Sequence, residues 1–290
     1  MPTLRTPAKI FPSVPTREGA GVHLHRVFGH QEVPLFDPFL LLDDFSSDIP
    51  AHYEKGFPWH PHRGMETITY VIKGEVDHGD SLGNSGTIGE HDVQWMTAGS
   101  GIIHQEMPRG DSSGQMHGFQ LWANLPSSSK MMAPRYREVK KETIPVLQLP
   151  GGVHIRVIAG RVDNTTGPVD DIVTQPQYLD ISLPAGAQLT LPTPAGHTCF
   201  AYVFKGKVFF GDNADHEEIS VPVRSLALFD KGDLVRMHAP EQEARLLLVS
   251  GAPIGEPVAW YGPIVMNTQK ELDVAFDEYQ RGTFIKSSRP

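Results

Sequence analysis

The chain has 290 residues, 39% of them hydrophobic and 20% charged, with a net charge of −9. That length suits two domains or one large one, and the acidic balance argues against a general nucleic-acid binder, which usually carries a basic field. A single cysteine, Cys199, excludes an intrachain disulfide and a cysteine-rich zinc or iron–sulfur site, so a metal here must be held by His, Asp or Glu.

The opening stretch MPTLRTPAKIFPSVPTREG lacks the apolar run of a signal peptide. No run of about 18 apolar residues occurs, the length a membrane span needs, so a cytoplasmic protein is the expectation. With 28 Gly and 25 Pro, turns are dense, which points to an all-β architecture of many short strands. In chain order, strand-like runs fall at Thr67–Ile72, Val93–Met96, Gly101–Met107, Gly118–Asn124, Val153–Ala159, Tyr178–Leu183, Cys199–Phe204, Lys207–Phe210, Ser225–Phe229, Leu234–Met237 and Arg245–Ser250. Such spacing suggests sandwiches or barrels. The tail differs. Thr268 and Glu271 form a possible capping box, and Leu272, Ala275, Phe276 and Tyr279 share one helical face. Gly282 is placed to end that helix, which is expected to pack on a barrel exterior.

An internal repeat organises the chain. Tyr70-Val-Ile-Lys-Gly-Glu-Val-Asp-His-Gly-Asp80 matches Tyr202-Val-Phe-Lys-Gly-Lys-Val-Phe-Phe-Gly-Asp212 at an offset of 132 residues. More loosely, Asp92-Val-Gln-Trp-Met96 matches Asp233-Leu-Val-Arg-Met237 at an offset of 141. Two landmarks in one order suggest two copies of one β-domain. The polar stretch Ser127–Leu149 is the natural linker region. The expected division is a first domain over 1–138, a linker over 139–149 and a second domain over 150–290.

Ten of the 14 histidines precede residue 145. Among them His60-Pro61-His62 is an H-x-H pair and His104-Gln105-Glu106 an H-x-E pair. On a strand, residues i and i+2 point to the same face, so each pair aims two donors at one point. If the strands are neighbours, three imidazoles and one carboxylate converge, a set that suits Fe(II), Mn, Ni, Cu or Zn. At the two repeat offsets the candidate ligands align with Pro192, Pro194, Arg245 and Leu247. All four are therefore absent from the second copy while framework residues persist. His23 and His25 form another H-x-H without a partner pair and read as surface histidines. His52 and His78 read as solvated, and His117 as a support behind the ligands. Glu66, four residues after His62, is open as a further ligand, a supporting acceptor or a structural residue. Cys199 reads as a buried strand residue.

The arrangement of H-x-H, an acidic residue, a glycine and a second His-bearing strand resembles the cupin superfamily. The runs Phe57-Pro-Trp-His-Pro-His-Arg-Gly-Met-Glu-Thr67 and Gln94-Trp-Met-Thr-Ala-Gly-Ser-Gly-Ile-Ile-His-Gln-Glu-Met-Pro108 are similar to the two motifs of the pirin family. Asp37–Phe45, His117–Trp122 and Gly255–Thr268 are also pirin-like, so the resemblance spans the chain. The spacing from Gly56 to His60 is shorter than in the general cupin motif. The resemblance implies a bicupin, two stacked antiparallel β-barrels with a short C-terminal helix, with one transition metal, Fe(II) before the others, in the N-terminal barrel only. It implies His60, His62, His104 and Glu106 as metal ligands and places Glu66 outside the ligand set. It further implies a quercetin 2,3-dioxygenase acting on a flavonol and O2, with Glu106 also the candidate base. Ile102, Ile103, Trp95 and Met96 are candidate apolar walls. The alternative is an iron-dependent, redox-sensitive regulatory protein acting through a protein partner, without direct nucleic-acid or membrane binding.

Overall fold

The structure, a computed structural model, describes residues 2–211 and 218–286. His216 lies outside the described residues. All eleven expected strand runs are strands, with ends shifted by a few residues. The described chain is mostly β, its sheets are antiparallel, and its fold is that of a bicupin.

The first barrel has a seven-stranded sheet in the order Arg135–Val139, Val93–Thr97, Met65–Lys73, Met116–Asn124, Phe39–Ser47, Val22–Phe28 and Val14–Glu18. Its second sheet runs Phe57–His62, Ile102–Arg109, Glu75–Asp80 and Ser85–Ile88. The second barrel repeats this plan. Its large sheet runs Pro7–Pro12, Ser225–Phe229, Thr198–Lys205, Ala244–Gly251, Gln177–Leu183, Val153–Ala159 and Val146–Leu149. Its small sheet runs Ala187–Pro192, Leu234–Ala239, Lys207–Phe210 and Ile219–Pro222.

The register explains the repeat and corrects its second landmark. Tyr70 and Tyr202 occupy the same place, each followed by a glycine turn, Gly74 and Gly206, both at positive φ. A Cβ at either would come within 2.5 Å or 2.3 Å of a backbone carbonyl, of Arg109 and Glu243 respectively, so only glycine fits. The strand holding Val93 faces Tyr70, and the strand facing Tyr202 holds Leu226. Val93–Thr97 therefore corresponds to Ser225–Phe229, not to the Leu234–Ala239 strand of the expected match. The latter corresponds to Ile102–Arg109, since each is the second strand of its small sheet.

The expected domain limits are corrected at both ends. One compact unit joins the segment ending at Ser13 to Glu142–Pro253, and the other joins Val14–Lys141 to the chain from Ile254 onward. Pro7–Pro12 belongs with the second barrel because it pairs with Ser225–Phe229, Ile10 opposite Ala227. The tail belongs with the first barrel. Its Ala259–Tyr261/Ile264–Met266 hairpin and its helix Gln269–Gln280 bury Leu272 and Ala275 against Ile264, Met266 and Phe284, with Ile103 packed alongside. Thr268 caps that helix and Glu271 reciprocates. Most of the expected linker is structured, since Val139 ends one strand and Val146–Leu149 forms another. Local pairing explains the misreading: these strands are short, polar and at sheet edges, where apolar alternation is weak.

The two interiors differ in kind. The second barrel is filled by an apolar cluster that includes Leu191, Val235, Met237 and Cys199. Burial pushes the Cys199 thiol up to about 12, which leaves it an inert core residue. The first barrel turns buried polar side chains inward, Thr69, Gln94, His104 and Glu106 among them, which is costly unless they are paired or used.

Candidate metal centre

His60 and His62 lie on Phe57–His62, and the neighbouring strand Ile102–Arg109 sets His104 directly opposite His60. Opposed residues of an antiparallel pair share a face, so the three rings meet. Their centroids lie 4.4 Å (His60 to His104), 4.8 Å (His60 to His62) and 5.0 Å (His62 to His104) apart. One ligand atom from each lies within 4.8 Å of the others. Backbone carbonyls fix the ring orientations: His60 Nδ1 sits 2.9 Å from Pro58 O and His62 Nδ1 sits 3.1 Å from Pro263 O. With Nδ1–H donating, both Nε2 atoms carry lone pairs toward the same point, and they stand 3.0 Å apart. Gly64, just beyond the pair, has φ +77°, and a Cβ there would sit 1.9 Å from the Val265 carbonyl. That glycine lets the Ile264–Met266 strand close over the motif.

Burial pushes His62 and His104 well below the ordinary 6.5 and lowers His60 as well. All three are thus neutral, the form that ligates. His104 Nε2 is buried with no hydrogen-bond partner among the described residues. Two lone pairs facing each other at 3.0 Å and a third unpartnered imidazole nitrogen are unfavourable by themselves, and a cation between them resolves both. The donor set fits a borderline transition ion.

Glu106 shares the inward face with His104 but stands outside the three-imidazole group. Its carboxylate accepts from Thr69 Oγ1 at 2.6 Å and from Gln120 Nε2 at 2.9 Å. Burial raises its pKa, and these two hydrogen bonds partly offset that. Glu66 is placed differently. It pairs with Thr97, whose hydroxyl donates to it at 2.6 Å, and it alternates with Thr67 and Thr69, so it faces away from the imidazoles.

A cavity of about 760 Å³ opens onto His60, His62 and Glu106. Its walls are not the expected ones. Ile102 packs with Met96 and Ala98, Ile103 packs against the tail, and Trp95 faces the Glu66 side of the sheet. The apolar lining comes instead from Leu24, Leu41, Phe45, Phe57, Trp122 and Trp260. His117 turns to Asp44 at 3.3 Å rather than to the ligands; Gln120, which alternates with it, holds Glu106. His78 is not solvated but buried inside the barrel, 2.5 Å from Tyr136 Oη. His23 stacks on His52 at 4.0 Å, away from the centre.

In the second barrel, register places Leu191 and Val235 where His60 and His104 stand, since Leu191 opposes Val235. Met237 corresponds to Glu106, because Phe210 opposes Met237 as His78 opposes Glu106. The equivalents are thus one residue or more from those expected by offset, and they are apolar core.

Two antiparallel cupin barrels, the first with three converging imidazoles that could hold an ion, define a bicupin. Residues 21–123 match the family described as Pirin, and residues 178–285 match the Pirin C-terminal cupin domain. A pirin-like protein of Caulobacter vibrioides is 45% identical over 97% of this chain and 99% of its own length. A pirin-like protein of Arabidopsis thaliana is 41% identical over 91% of this chain and 84% of its own length. The crystal structure of quercetin 2,3-dioxygenase from Acinetobacter baumannii superposes with a TM-score of 0.87 at 33% identity, over 97% of this chain and 99% of that one. The chain belongs to the pirin family.

Proposed function

We propose that this pirin is a metal-dependent dioxygenase that cleaves flavonols such as quercetin, incorporating O2 and releasing carbon monoxide. The observation that carries the reading is the three-imidazole group, two of whose rings, His60 and His62, line a largely apolar cavity of about 760 Å³, large enough for a planar three-ring molecule. Its likeness to a relative solved under the name quercetin 2,3-dioxygenase supports the substrate class.

His60, His62 and His104 would hold the ion, with Glu106 completing the set; Fe(II) leads, and Mn, Ni, Cu and Zn suit the same donors. A transition ion there supplies Lewis-acid stabilisation of a deprotonated hydroxyl oxygen. The chain's own residues supply the rest. Trp122, Trp260 and Phe45 line the space around the flavonol rings and exclude water. Glu106 takes the proton of the substrate hydroxyl at a carboxylate oxygen, as a base within hydrogen-bond reach can. Thr69 and Gln120 hold that carboxylate in one orientation throughout.

The reading is tested by incubating metal-loaded protein with quercetin in air and following loss of visible absorbance together with carbon monoxide release. Turnover is expected in the wild type and is lost in His62→Ala and Glu106→Ala. Wild-type turnover no greater than that of either variant overturns the proposal.

A further inference from the structure

The inward face of the large sheet carries a polar row that crosses it from strand to strand. Gln94 opposes Thr69, Thr69 opposes Gln120, Gln120 opposes Asp43 and Asp43 opposes Arg26. Adjacent strands lie about 4.8 Å apart, so Arg26 is ~10 Å along the row from Gln120. The Thr69–Gln120 end holds Glu106. The other end is an ion-pair triad: Arg26 donates to both Asp43 oxygens, at 2.9 and 2.8 Å, and to Glu18 at 2.9 Å. All three of these residues line the same cavity as the imidazoles.

Asp43 is only 5% exposed and Arg26 is part-buried, and Leu24, Leu41 and Phe45 line the cavity beside them. A carboxylate buried to this degree pays a desolvation cost that its part-buried guanidinium partner only partly offsets. A ligand pocket uses such a pair to fix orientation and specificity. Each Asp43 oxygen spends one lone pair on Arg26 and retains another for a donor. Two carboxylates around one guanidinium leave this end of the cavity with an excess of negative charge. It suits a hydroxyl that donates and disfavours a carboxylate.

We propose that the Arg26–Asp43 pair is a second subsite of the cavity, which accepts hydrogen bonds from phenolic hydroxyls on the ring of a neutral polyphenol remote from the imidazoles. The inference rests on the flavonol reading above and narrows it: the substrate is hydroxylated at both ends and carries no carboxylate. Burial pushes Asp43 up to about 6, which leaves it ionised and a strong acceptor at neutral pH. The row sets the distance between the two recognition points, so a rigid substrate bound at Asp43 presents its other end to Glu106.

Binding of two probes to metal-loaded protein under argon tests this, read by quenching of tryptophan fluorescence. Quercetin carries hydroxyls on its side ring, and galangin is the same flavonol without them. The wild type is expected to bind quercetin about tenfold or more tighter than galangin, as one charge-assisted hydrogen bond into a buried site allows. In Asp43→Asn the ratio falls, and in the apolar double variant Arg26→Met/Asp43→Leu it collapses toward one. A wild-type ratio near one overturns the subsite whether or not the variants fold, and so does a ratio unchanged in the double variant. If quercetin is bound selectively through Asp43 but not consumed in air, the subsite stands and the dioxygenase reading falls. If it is consumed without any preference for side-ring hydroxyls, the reverse holds.

Discussion

The three imidazoles are neutral because burial holds their pKa values below 6.5, most strongly at His62 and His104. In metal-free protein the unfolded chain takes up protons near pH 6.5, while the folded one does so only at lower pH. Stability is therefore complete above 6.5 and falls as pH drops below it. Thermal melts of the metal-free protein between about pH 8 and 5 should show this loss, and His104→Leu should flatten it. Glu106 depends on two neighbours for its orientation. Replacing Gln120 by Leu removes one of its two hydrogen bonds and should weaken metal affinity or turnover by about 10–100-fold, as loss of an outer partner of a ligand typically does. Isothermal titration with the metal and initial rates with quercetin check this. The meeting of His60, His62 and His104 is legible in the sequence because strand alternation pairs i with i+2; that Glu106 stands outside their group is not. On the strand Met116–Asn124 it is Gln120, not His117, that supports the centre, because the two point to opposite faces. Thr69, Asp43 and Arg26 were not legible, since only cross-strand register joins them.

At the level of elements, the hairpin Ala259–Tyr261/Ile264–Met266 binds the first barrel through specific groups. The Lys130 ammonium, almost fully buried, donates to the carbonyls of Gly64 and Val265 and to Asn124 Oδ1, at 2.9, 3.1 and 2.7 Å. Arg63 donates to Ser100 O and Phe284 O, pairs with Glu278 and lies over the Phe284 ring. Lys130→Met leaves three buried acceptors without their donor and should cost ~2–4 kcal/mol of stability, measurable as a lowered midpoint in urea. Since the hairpin carries the Pro263 carbonyl that orients His62, the same variant should also bind metal less tightly. The eleven expected strands and the capped helix were readable because apolar alternation and a capping box are local signals. The partners of the edge strands Pro7–Pro12, Arg135–Val139 and Val146–Leu149 were not. Their pairing is decided by distant segments, and their polar faces carry little periodicity. The resemblance to pirins supplied the fold that local pattern alone left open between sandwich and barrel.

Over the whole chain, two barrels with one strand order have diverged inside. Leu191, Val235 and Met237 fill the place that His60, His104 and Glu106 hold in the first. Metal analysis should therefore find close to one transition ion per chain, lost in His60→Ala/His104→Ala and kept when His197 is changed. Removing the ion with a chelator should lower the melting temperature, with stabilisation on re-addition growing as RT ln(1 + [metal]/Kd), about 3–4 kcal/mol at a hundred to a thousand times Kd. Calorimetry with and without chelator measures it.

The exchange of ends between the units has a bearing on synthesis. The three histidines lie within the first 104 residues and leave the ribosome early, but the carbonyl that aims His62 belongs to Pro263. The strand Ile264–Met266 and the helix that seal this barrel come later still. Because chains fold as they emerge, the second barrel has all its strands once Pro253 has emerged, while the first waits for Ile264–Met266 and the helix. An ion held by these imidazoles would thus meet an ordered site only after the segments from Pro263 onward had been made.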